Sequence, residues 1–316
     1  MQLSIISPCY GAPTLLEELV RQITIVAQDI TPDYEIILVE DSSPDNSREI
    51  ISNICSKDKH VKGVFLSRNF GQQPAINAGL DISSGEWVTV LDCDLQNPPS
   101  QIRTLYDKAQ EGFDIVFARR QDRPDRLFMT KGSKWFNRLM SFLTGIKQDE
   151  TVAEFAIYNR KVIDAMKRMG DYVRYYPLMD KWVGFKSTGV DVPHAARTDG
   201  KASSYSIRKR INLAVTTSIA FSTKPLHLIV YLGMLITFIA LVTAIYLAIK
   251  TLLTGIDVDG WFTLFVSMWL IAGMVMMVMG IVAIYIGNIF VEIKNRPTYI
   301  IDKILNKEYG TQAYRP

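Results

Sequence analysis

The chain has few side chains suited to zinc or disulfide chemistry, and it carries little net charge. Its 316 residues include three cysteines and three histidines. Cys9, Cys55 and Cys93 show no CxxC spacing. This argues against a zinc site and a disulfide framework, and it fits reduced thiols in the cytoplasm. The formal net charge of +3 is too small to indicate nucleic-acid binding.

The sequence also begins without an apolar signal segment. Residues 1–8 read as a short strand followed by a turn, unlike the charged and apolar regions of a secretory signal. Residues 1–225 have the composition of an ordinary soluble protein. We therefore expect this part of the chain to stay in the cytoplasm.

Charged residues are absent from two long stretches near the C-terminus, residues 226–249 and 260–291. Each is longer than the roughly 20 apolar residues that a helix needs to cross a bilayer. We predict two transmembrane helices, in preference to the alternative of two buried helices in a soluble protein.

Lysine and arginine are concentrated before the first of these stretches and after the second, and not in the connector between them. The connector at residues 250–260 has Lys250 alone, beside Asp257 and Asp259. By the positive-inside rule, both termini are predicted to be cytoplasmic and the connector external, in a multi-pass protein of the cytoplasmic (inner) membrane. The tail at residues 292–316 would then be cytoplasmic. The flanking cations are Lys201, Arg208, Lys209, Arg210 and Lys224 on one side and Lys294, Arg296, Lys303 and Lys307 on the other.

Short apolar runs alternate with amphipathic stretches through the first 120 residues. This alternation predicts an α/β domain with a mostly parallel, Rossmann-like sheet, in which ligands bind beyond the carboxyl ends of the strands. The domain is expected to extend over residues 1–205. The predicted strands are residues 3–7, 34–39, 61–66, 87–91 and 113–118, and the predicted helices are residues 14–27, 45–57, 72–82 and 99–110.

Polar residues follow each of the first four predicted strands. Asp92 and Asp94 come directly after one of them, at a spacing that points both carboxylates to one side of an extended chain. Gln96 can add a carbonyl oxygen from the same side. Oxygen ligands of this kind suit Mg²⁺ or Mn²⁺, so this edge is the predicted metal and ligand site. The four polar segments read SPCY from Ser7, EDSSPD from Glu40, SRNFGQ from Ser67 and DCDLQNPP from Asp92.

These segments, together with RTDGKASSY from Arg197, resemble family 2 glycosyltransferases of the GT-A fold. Within that family they are similar to dolichyl-phosphate mannose synthases and bacterial undecaprenyl-phosphate glucosyltransferases. The resemblance implies a catalytic role for Asp92, Asp94 and Glu154, and a divalent metal held by Asp94 and Gln96. It also implies a nucleotide-sugar site formed by Pro8, Tyr10, Asp41, Asn69 and Asp92.

The chain departs from this family pattern at three places. Glu40 stands where many relatives have Asp, and an extra residue in the membrane-proximal segment lets Ser203 or Ser204 take the usual serine's part. The segment VAEFA from Val152 stands where relatives often read Gly-Asp-Phe-Arg. Because a phosphate monoester has a pKa near 6, the acceptor is already mostly dianionic at pH 7. Glu154 is therefore expected to position the acceptor rather than to act as its base, and a purely structural role is the alternative.

Basic residues are concentrated between positions 119 and 138, and again before the membrane. They are expected to meet the lipid phosphate, the donor diphosphate or anionic headgroups, although a solvated basic face would account for part of the cluster. Residues 206–225 are predicted to form an interfacial amphipathic helix. The expected lipid-phosphate ligands are Arg119, Arg126, Lys134, Arg138, Arg197, Lys201 and Ser203.

The predicted activity is inverting transfer of a sugar to undecaprenyl phosphate, which yields a lipid-linked donor for surface glycans. By resemblance the donor is UDP-linked glucose or an N-acetylhexosamine, and the protein is a homo-oligomer. One alternative is a processive polysaccharide synthase, but the chain lacks a Q-x-x-R-W motif and further spans. The other is a membrane-held nucleotide-sugar sensor, against which the intact Asp92 and Asp94 pair argues.

Overall fold

A computed structural model describes residues 1–120, 152–169, 176–192, 224–254 and 260–306 of the chain. The chain divides into two compact units. The described residues of the first unit are 1–120, 152–169, 176–192 and 296–306, and those of the second are 224–254 and 260–295.

The first unit is an α/β domain built on an eight-stranded sheet in the order β7-β5-β6-β4-β1-β2-β3-β8. Strands β1 to β5 and β7 run in one direction, while β6 and β8 are antiparallel to their neighbours. The predicted mostly parallel α/β sheet is thus confirmed. The strands are β1 (Leu3–Cys9), β2 (Tyr34–Glu40), β3 (Val61–Leu66), β4 (Trp87–Val90), β5 (Ile115–Arg120), β6 (Val152–Asn159), β7 (Ser187–Val192) and β8 (Ile301–Leu305).

Within the described residues, six helices accompany this sheet, and the four predicted ones lie within a few residues of their expected bounds. Strands β1, β2 and β3 are buried along their whole length, because helices cover both faces of a parallel sheet. The helices are α1 (Leu16–Ile30), α2 (Ser47–Lys57), α3 (Gln72–Ile82), α4 (Gln101–Gln110), α5 (Arg160–Arg168) and α6 (Tyr176–Val183).

Helix α3 approaches the sheet closely at Gly79. A Cβ atom built on Gly79 would lie 2.4 Å from Cγ2 of Ile6 in β1 and 3.2 Å from Cγ2 of Val39 in β2. Only a glycine allows this contact without displacing a buried neighbour. The close packing fixes the position of α3, whose first residues reach the carboxyl edge of the sheet.

Strands β6 and β8 are elements that the alternating pattern does not predict. Strand β6 inserts between β4 and β5 and pairs antiparallel with both. Strand β8 pairs antiparallel with β3 and lies inside residues 292–316, which were expected to form a tail. Both strands pair with segments that are distant in the sequence, so local periodicity does not predict these pairings.

The second unit contains two long helices, α7 (Lys224–Thr254) and α8 (Trp261–Ile293). Within the described residues, one helical segment is long and apolar enough to cross a membrane. It comprises Ser267–Ile293, with a mean hydropathy of 2.4, and none of it is buried inside the protein. The other predicted span, residues 226–249, falls in α7 and stays a prediction. The predicted amphipathic helix lies almost entirely outside the described residues, since only its last two positions begin α7.

Candidate active site

The carboxyl ends of β1, β2, β3 and β4 lie side by side, because these four strands are parallel and adjacent. The loops that follow them carry the polar segments singled out in the sequence. Pro8 is buried at the end of β1, whereas the next aromatic side chain, Tyr10, is 53% exposed. An exposed aromatic ring at this edge offers a stacking surface for a planar ligand.

Asp41 follows β2 and holds the loop that connects β3 to α3. Its Oδ1 accepts a hydrogen bond from the backbone N–H of Phe70, and its Oδ2 accepts one from the backbone N–H of Gly71, each at 2.8 Å. Gly71 precedes α3 with φ 98°, a conformation that favours glycine. The described geometry therefore shows Asp41 as a clamp on the loop at residues 67–71.

The Asp41 side chain is only 3% exposed. Burial raises the pKa of this carboxyl above its ordinary value, and the two backbone hydrogen bonds oppose that rise. The clamp thus combines a strong geometric fit with a substantial cost of desolvation.

Glu40, which departs from the family pattern, has a structural partner in the same loop. Its buried carboxylate accepts a hydrogen bond from the backbone N–H of Ser43 through Oε1. The Ser43 hydroxyl in turn accepts the backbone N–H of Gly11 at 3.2 Å. In the same turn, the residue before Ser43, Ser42, has φ 53°, which is a strained value for a residue with a side chain. Glu40 therefore shapes the turn that follows β2, and Ser43 of this turn contacts the loop that follows β1.

The segment after β4 forms a tight turn around Asp94. Oδ1 of Asp94 accepts the backbone N–H of Gln96 at 3.1 Å, as in an Asx turn. The intervening Leu95 has φ 58°, and such strain tends to be retained at functional sites. Asp92 is held from another direction, because Nε2 of Gln72 in α3 donates to its Oδ1 at 2.7 Å.

Asp92, Asp94 and Gln96 fit a hard divalent cation by their chemistry, since all three offer oxygen atoms. Among the described residues, no group of three or more His, Cys, Asp or Glu side chains is arranged to hold a metal ion. Asp92, Asp94 and Gln96 by themselves would fill only part of the coordination shell of such a cation. Mg²⁺ and Mn²⁺ sites of this kind are completed by water and substrate phosphates.

Two thiols lie directly beneath this edge. Cys9 ends β1, and Cys93 stands between the two aspartates; both are free and buried. A hydrogen bond between the two side chains raises the pKa of Cys9 and lowers that of Cys93. The pair belongs to the apolar core of the first unit, so it packs the strand ends together.

The backbone places Glu154 at the same edge. Val90 of β4 pairs with Ala156 of the antiparallel strand β6, so Glu154 lies two residues further toward the carboxyl end of β4, level with Asp92. On the other side of β6, the register with β5 shifts between Phe117 and Arg119. The residue predicted to be catalytic, Glu154, therefore lies on a strand whose backbone reaches this edge of the sheet.

Only one of the expected lipid-phosphate ligands falls in the described part of the chain. Arg119 is exposed near the end of β5. Its side chain lies against Gly189 of β7, where an added Cβ would be 2.2 Å from the arginine Nε. The remaining expected ligands, Arg126, Lys134, Arg138, Arg197, Lys201 and Ser203, lie outside the described residues.

The structure also assigns contacts to residues that the sequence placed in motifs without giving them a role. Gln72, which bonds Asp92, is one of them. The guanidinium of Arg68 lies 4.0 Å above the ring of Phe70, and its Nη1 donates to the carbonyl oxygen of Asn69 at 3.1 Å. Asn69 and Arg68 are both exposed. The loop therefore presents a cation beside the clamped backbone.

A family model described as glycosyl transferase family 2 matches residues 4–166. A relative described as an uncharacterized glycosyltransferase of Synechocystis is 33% identical over 310 residues, which cover 98% of this chain and 97% of the relative. An undecaprenyl-phosphate 4-deoxy-4-formamido-L-arabinose transferase of Proteus mirabilis is 33% identical over 307 residues, which cover 96% of this chain and 94% of the relative.

The fold is similar to that of a solved enzyme. Glucosyl-3-phosphoglycerate synthase from Mycobacterium tuberculosis aligns with a TM-score of 0.50 at 16% identity, over 69% of this chain and 78% of that one. That structure was determined with Mn²⁺ and uridine diphosphate. At this identity the likeness concerns the fold alone.

Proposed function

The chain belongs to glycosyl transferase family 2, and from this premise we propose that it transfers a sugar from a nucleotide diphosphate donor to undecaprenyl phosphate. One observation carries the proposal. Asp41, Asp92 and Asp94 gather at the carboxyl edge of the sheet, in a chain that is similar over nearly its full length to transferases named for that acceptor.

The proposed reaction exchanges one bond to the sugar for another. An oxygen of the lipid phosphate attacks the anomeric carbon and forms a new carbon–oxygen bond with inversion. The bond from that carbon to the nucleoside diphosphate breaks, and the diphosphate leaves with the electron pair. Because the phosphate dianion needs no deprotonation at pH 7, Glu154 serves to position the acceptor. A Glu154→Gln variant with an unshifted pH–rate profile and a raised acceptor KM would support that role.

Asp94 and Gln96, with Asp92, would hold Mg²⁺ or Mn²⁺. A bound divalent cation stabilises the charge that builds on the departing diphosphate. The turn around Leu95 and the hydrogen bond from Gln72 pre-organise these oxygen atoms, so little rearrangement is needed when the charge develops. Pro8, Tyr10, Asp41 and Asn69 complete the donor site.

The acceptor side involves the membrane. We propose that α7 spans the bilayer together with α8, with both termini in the cytoplasm, since the two helices are long and apolar. Undecaprenyl phosphate would then meet the site from the membrane surface, where anionic lipids also lie. Its phosphate would be bound by the ligands expected from the sequence, which are Arg119, Arg126, Lys134, Arg138, Arg197, Lys201 and Ser203. The proposed assembly is a homo-oligomer.

The identity of the donor sugar can be tested directly. The resemblance in the sequence favours UDP-linked glucose or an N-acetylhexosamine, whereas several relatives are named for 4-deoxy-4-formamido-L-arabinose. A panel of three UDP-linked donors, one carrying each sugar type, would decide between them with a single acceptor. We expect one donor to be used at least tenfold better than the others, and equal use of all three would refute a sugar-specific pocket.

The central test measures transfer of radiolabelled sugar from this panel to undecaprenyl phosphate, with the full-length protein in detergent. We expect one product that carries a single sugar, and a loss of at least a hundredfold in the Asp94→Ala variant, consistent with removal of a charge-stabilising group. Asp107→Ala, which removes an exposed carboxylate of α4, is the matched control and should keep its activity. Wild-type protein that labels no lipid with any donor would sink the proposal, and full activity in Asp94→Ala would sink the metal assignment.

A further inference from the structure

The segment that follows helix α8 in the sequence contributes an edge strand to the sheet. Residues 296–306, here called the C-terminal strap, include β8, which pairs with β3 from Leu66 opposite Ile301 to Gly63 opposite Leu305. The backbone N–H of Ser67 donates to the carbonyl oxygen of Ile300 at 2.9 Å. The strap therefore contacts the first residue of the loop that Asp41 clamps.

The far end of the strap is fixed by one side chain. The Asn306 amide donates to the carbonyl oxygens of Cys55, Asp58 and Val61 at 2.6, 3.1 and 2.9 Å. These carbonyls surround the turn between α2 and β3, and Asn306 itself has φ 57°, which asparagine tolerates. This arrangement holds the strap in register against β3.

Tyr299 links the strap to α3. Its side chain is 2% exposed, and its hydroxyl donates to Oδ2 of Asp81, in the last turn of α3, at 2.5 Å. The other oxygen of Asp81 lies 3.3 Å from Nζ of Lys167 in α5. Asp81 therefore joins the strap, α3 and α5 at one carboxylate.

Helix α3 connects this carboxylate to the donor site. At its N-terminus, Gly71 donates its backbone N–H to Asp41, and Gln72 donates its side-chain amide to Asp92. Near its C-terminal end, Gly79 packs tightly on β1. Because α3 is one continuous helix from Gln72 to Ile82, it provides a direct route by which a change in the hold on Asp81 would reach residues 71 and 72.

We propose that Tyr299 is a positioning residue for the donor site, acting through Asp81 and α3 on the loop at residues 67–72. The inference rests on the proposed function for its kinetic consequence only. It gives a working role to a segment outside residues 4–166, the part of the chain that the family model matches. The tyrosine hydroxyl, not the aromatic ring, carries this role, because the ring can be kept in phenylalanine.

The first test is hydrogen–deuterium exchange on full-length protein in detergent. We expect Tyr299→Phe to speed exchange of the backbone amides of Phe70 and Gly71 by about three- to tenfold, the range expected when one hydrogen bond to a charged group is lost and its effect is partly transmitted. Asp302→Asn is the matched control, because it removes the exposed ion pair between the strap and Arg48 of α2. Unchanged exchange at residues 70 and 71 in Tyr299→Phe would overturn the proposal whatever the enzyme's substrate is.

The second test separates positioning from mere stabilisation. We expect Tyr299→Phe to raise the donor KM about three- to tenfold, with kcat changed less than twofold, while Asp302→Asn leaves both constants unchanged. The double variant Tyr299→Phe with Asp81→Ala should be no worse than Asp81→Ala alone, since each change removes the hydrogen bond between these two side chains. A lower melting temperature with an unchanged donor KM would show a structural role only and would refute the inference.

Discussion

Replacement of Asp41 by asparagine tests whether this residue acts as a clamp or as a reader of the nucleotide base. Both carboxylate oxygens accept backbone N–H groups, at 2.8 Å each. Asparagine keeps one acceptor oxygen but turns its own NH₂ group toward the second N–H. One charge-assisted hydrogen bond is lost, and a backbone donor in the loop is left without its partner.

The magnitude follows from these two contacts. A hydrogen bond to a charged group contributes about 1.5–3 kcal/mol. Because burial of Asp41 raises its pKa and so reduces the net benefit of its charge, the lower half of this range applies. We expect Asp41→Asn to weaken the hold on the loop by about 2 kcal/mol, which corresponds to about thirtyfold in nucleotide affinity if the held loop is the binding-competent form.

The assay measures dissociation constants for UDP, GDP and CDP by calorimetry, with Mn²⁺ present and the protein in detergent. A clamp predicts that Asp41→Asn weakens all three nucleotides by a similar factor and keeps their order. Asp45→Asn is the control, since it keeps the side-chain oxygen that accepts the Ser47 N–H at 2.9 Å, and we expect less than a twofold effect. A selective loss of one nucleotide would instead identify Asp41 as a base reader, and unchanged affinities would refute both roles.

The same clamp has a pH signature. A protonated carboxyl cannot accept both N–H groups equally well, so affinity is fully present above the folded-state pKa of Asp41 and is lost as pH falls through it. Because that pKa is raised by burial, the loss begins at a higher pH than for an ordinary aspartate. The Asp41→Asn variant should lack this acid limb, and an identical limb in both proteins would assign it to another group.

Three further changes give distinct expected results. Gln72→Ala removes the hydrogen bond to Asp92 and should raise the metal concentration for half-maximal activity about fivefold, measured by Mn²⁺ titration; an unchanged titration would argue against this support. Gly79→Ala forces a methyl group against Ile6 and should destabilise the first unit by about 1–3 kcal/mol, measured by thermal or denaturant unfolding; wild-type stability would show that the contact relaxes freely. Asp180 is buried and its pKa is raised well above the ordinary value, chiefly by desolvation. Folding therefore favours the protonated carboxyl, so wild-type stability falls as pH rises above the ordinary aspartate pKa. Asp180→Asn lacks this titration and should gain stability relative to wild type as pH rises, and a difference independent of pH would contradict this.

Local patterns predict most of the central sheet. Strands β1 to β4 and helices α1 to α4 were expected within a few residues, because each has its own periodicity or apolar run. The placement of Asp92 and Asp94 after a buried strand was also readable, since the carboxyl ends of parallel strands meet at one edge. The hydrogen bond from Gln72 to Asp92 could not be predicted from the sequence, because it depends on how α3 crosses the sheet.

The sequence by itself determined the alternating α/β order, the polar strand ends and the two apolar stretches, since short-range patterning and length encode all three. Tertiary structure alone decided that β6 inserts beside β4, that Asp41 clamps the loop before α3, and that the expected C-terminal tail contributes β8 and Tyr299. Each of these depends on pairing between residues far apart in the chain. Such contacts depend on which surfaces pack together when the chain folds, and local sequence periodicity does not predict that packing.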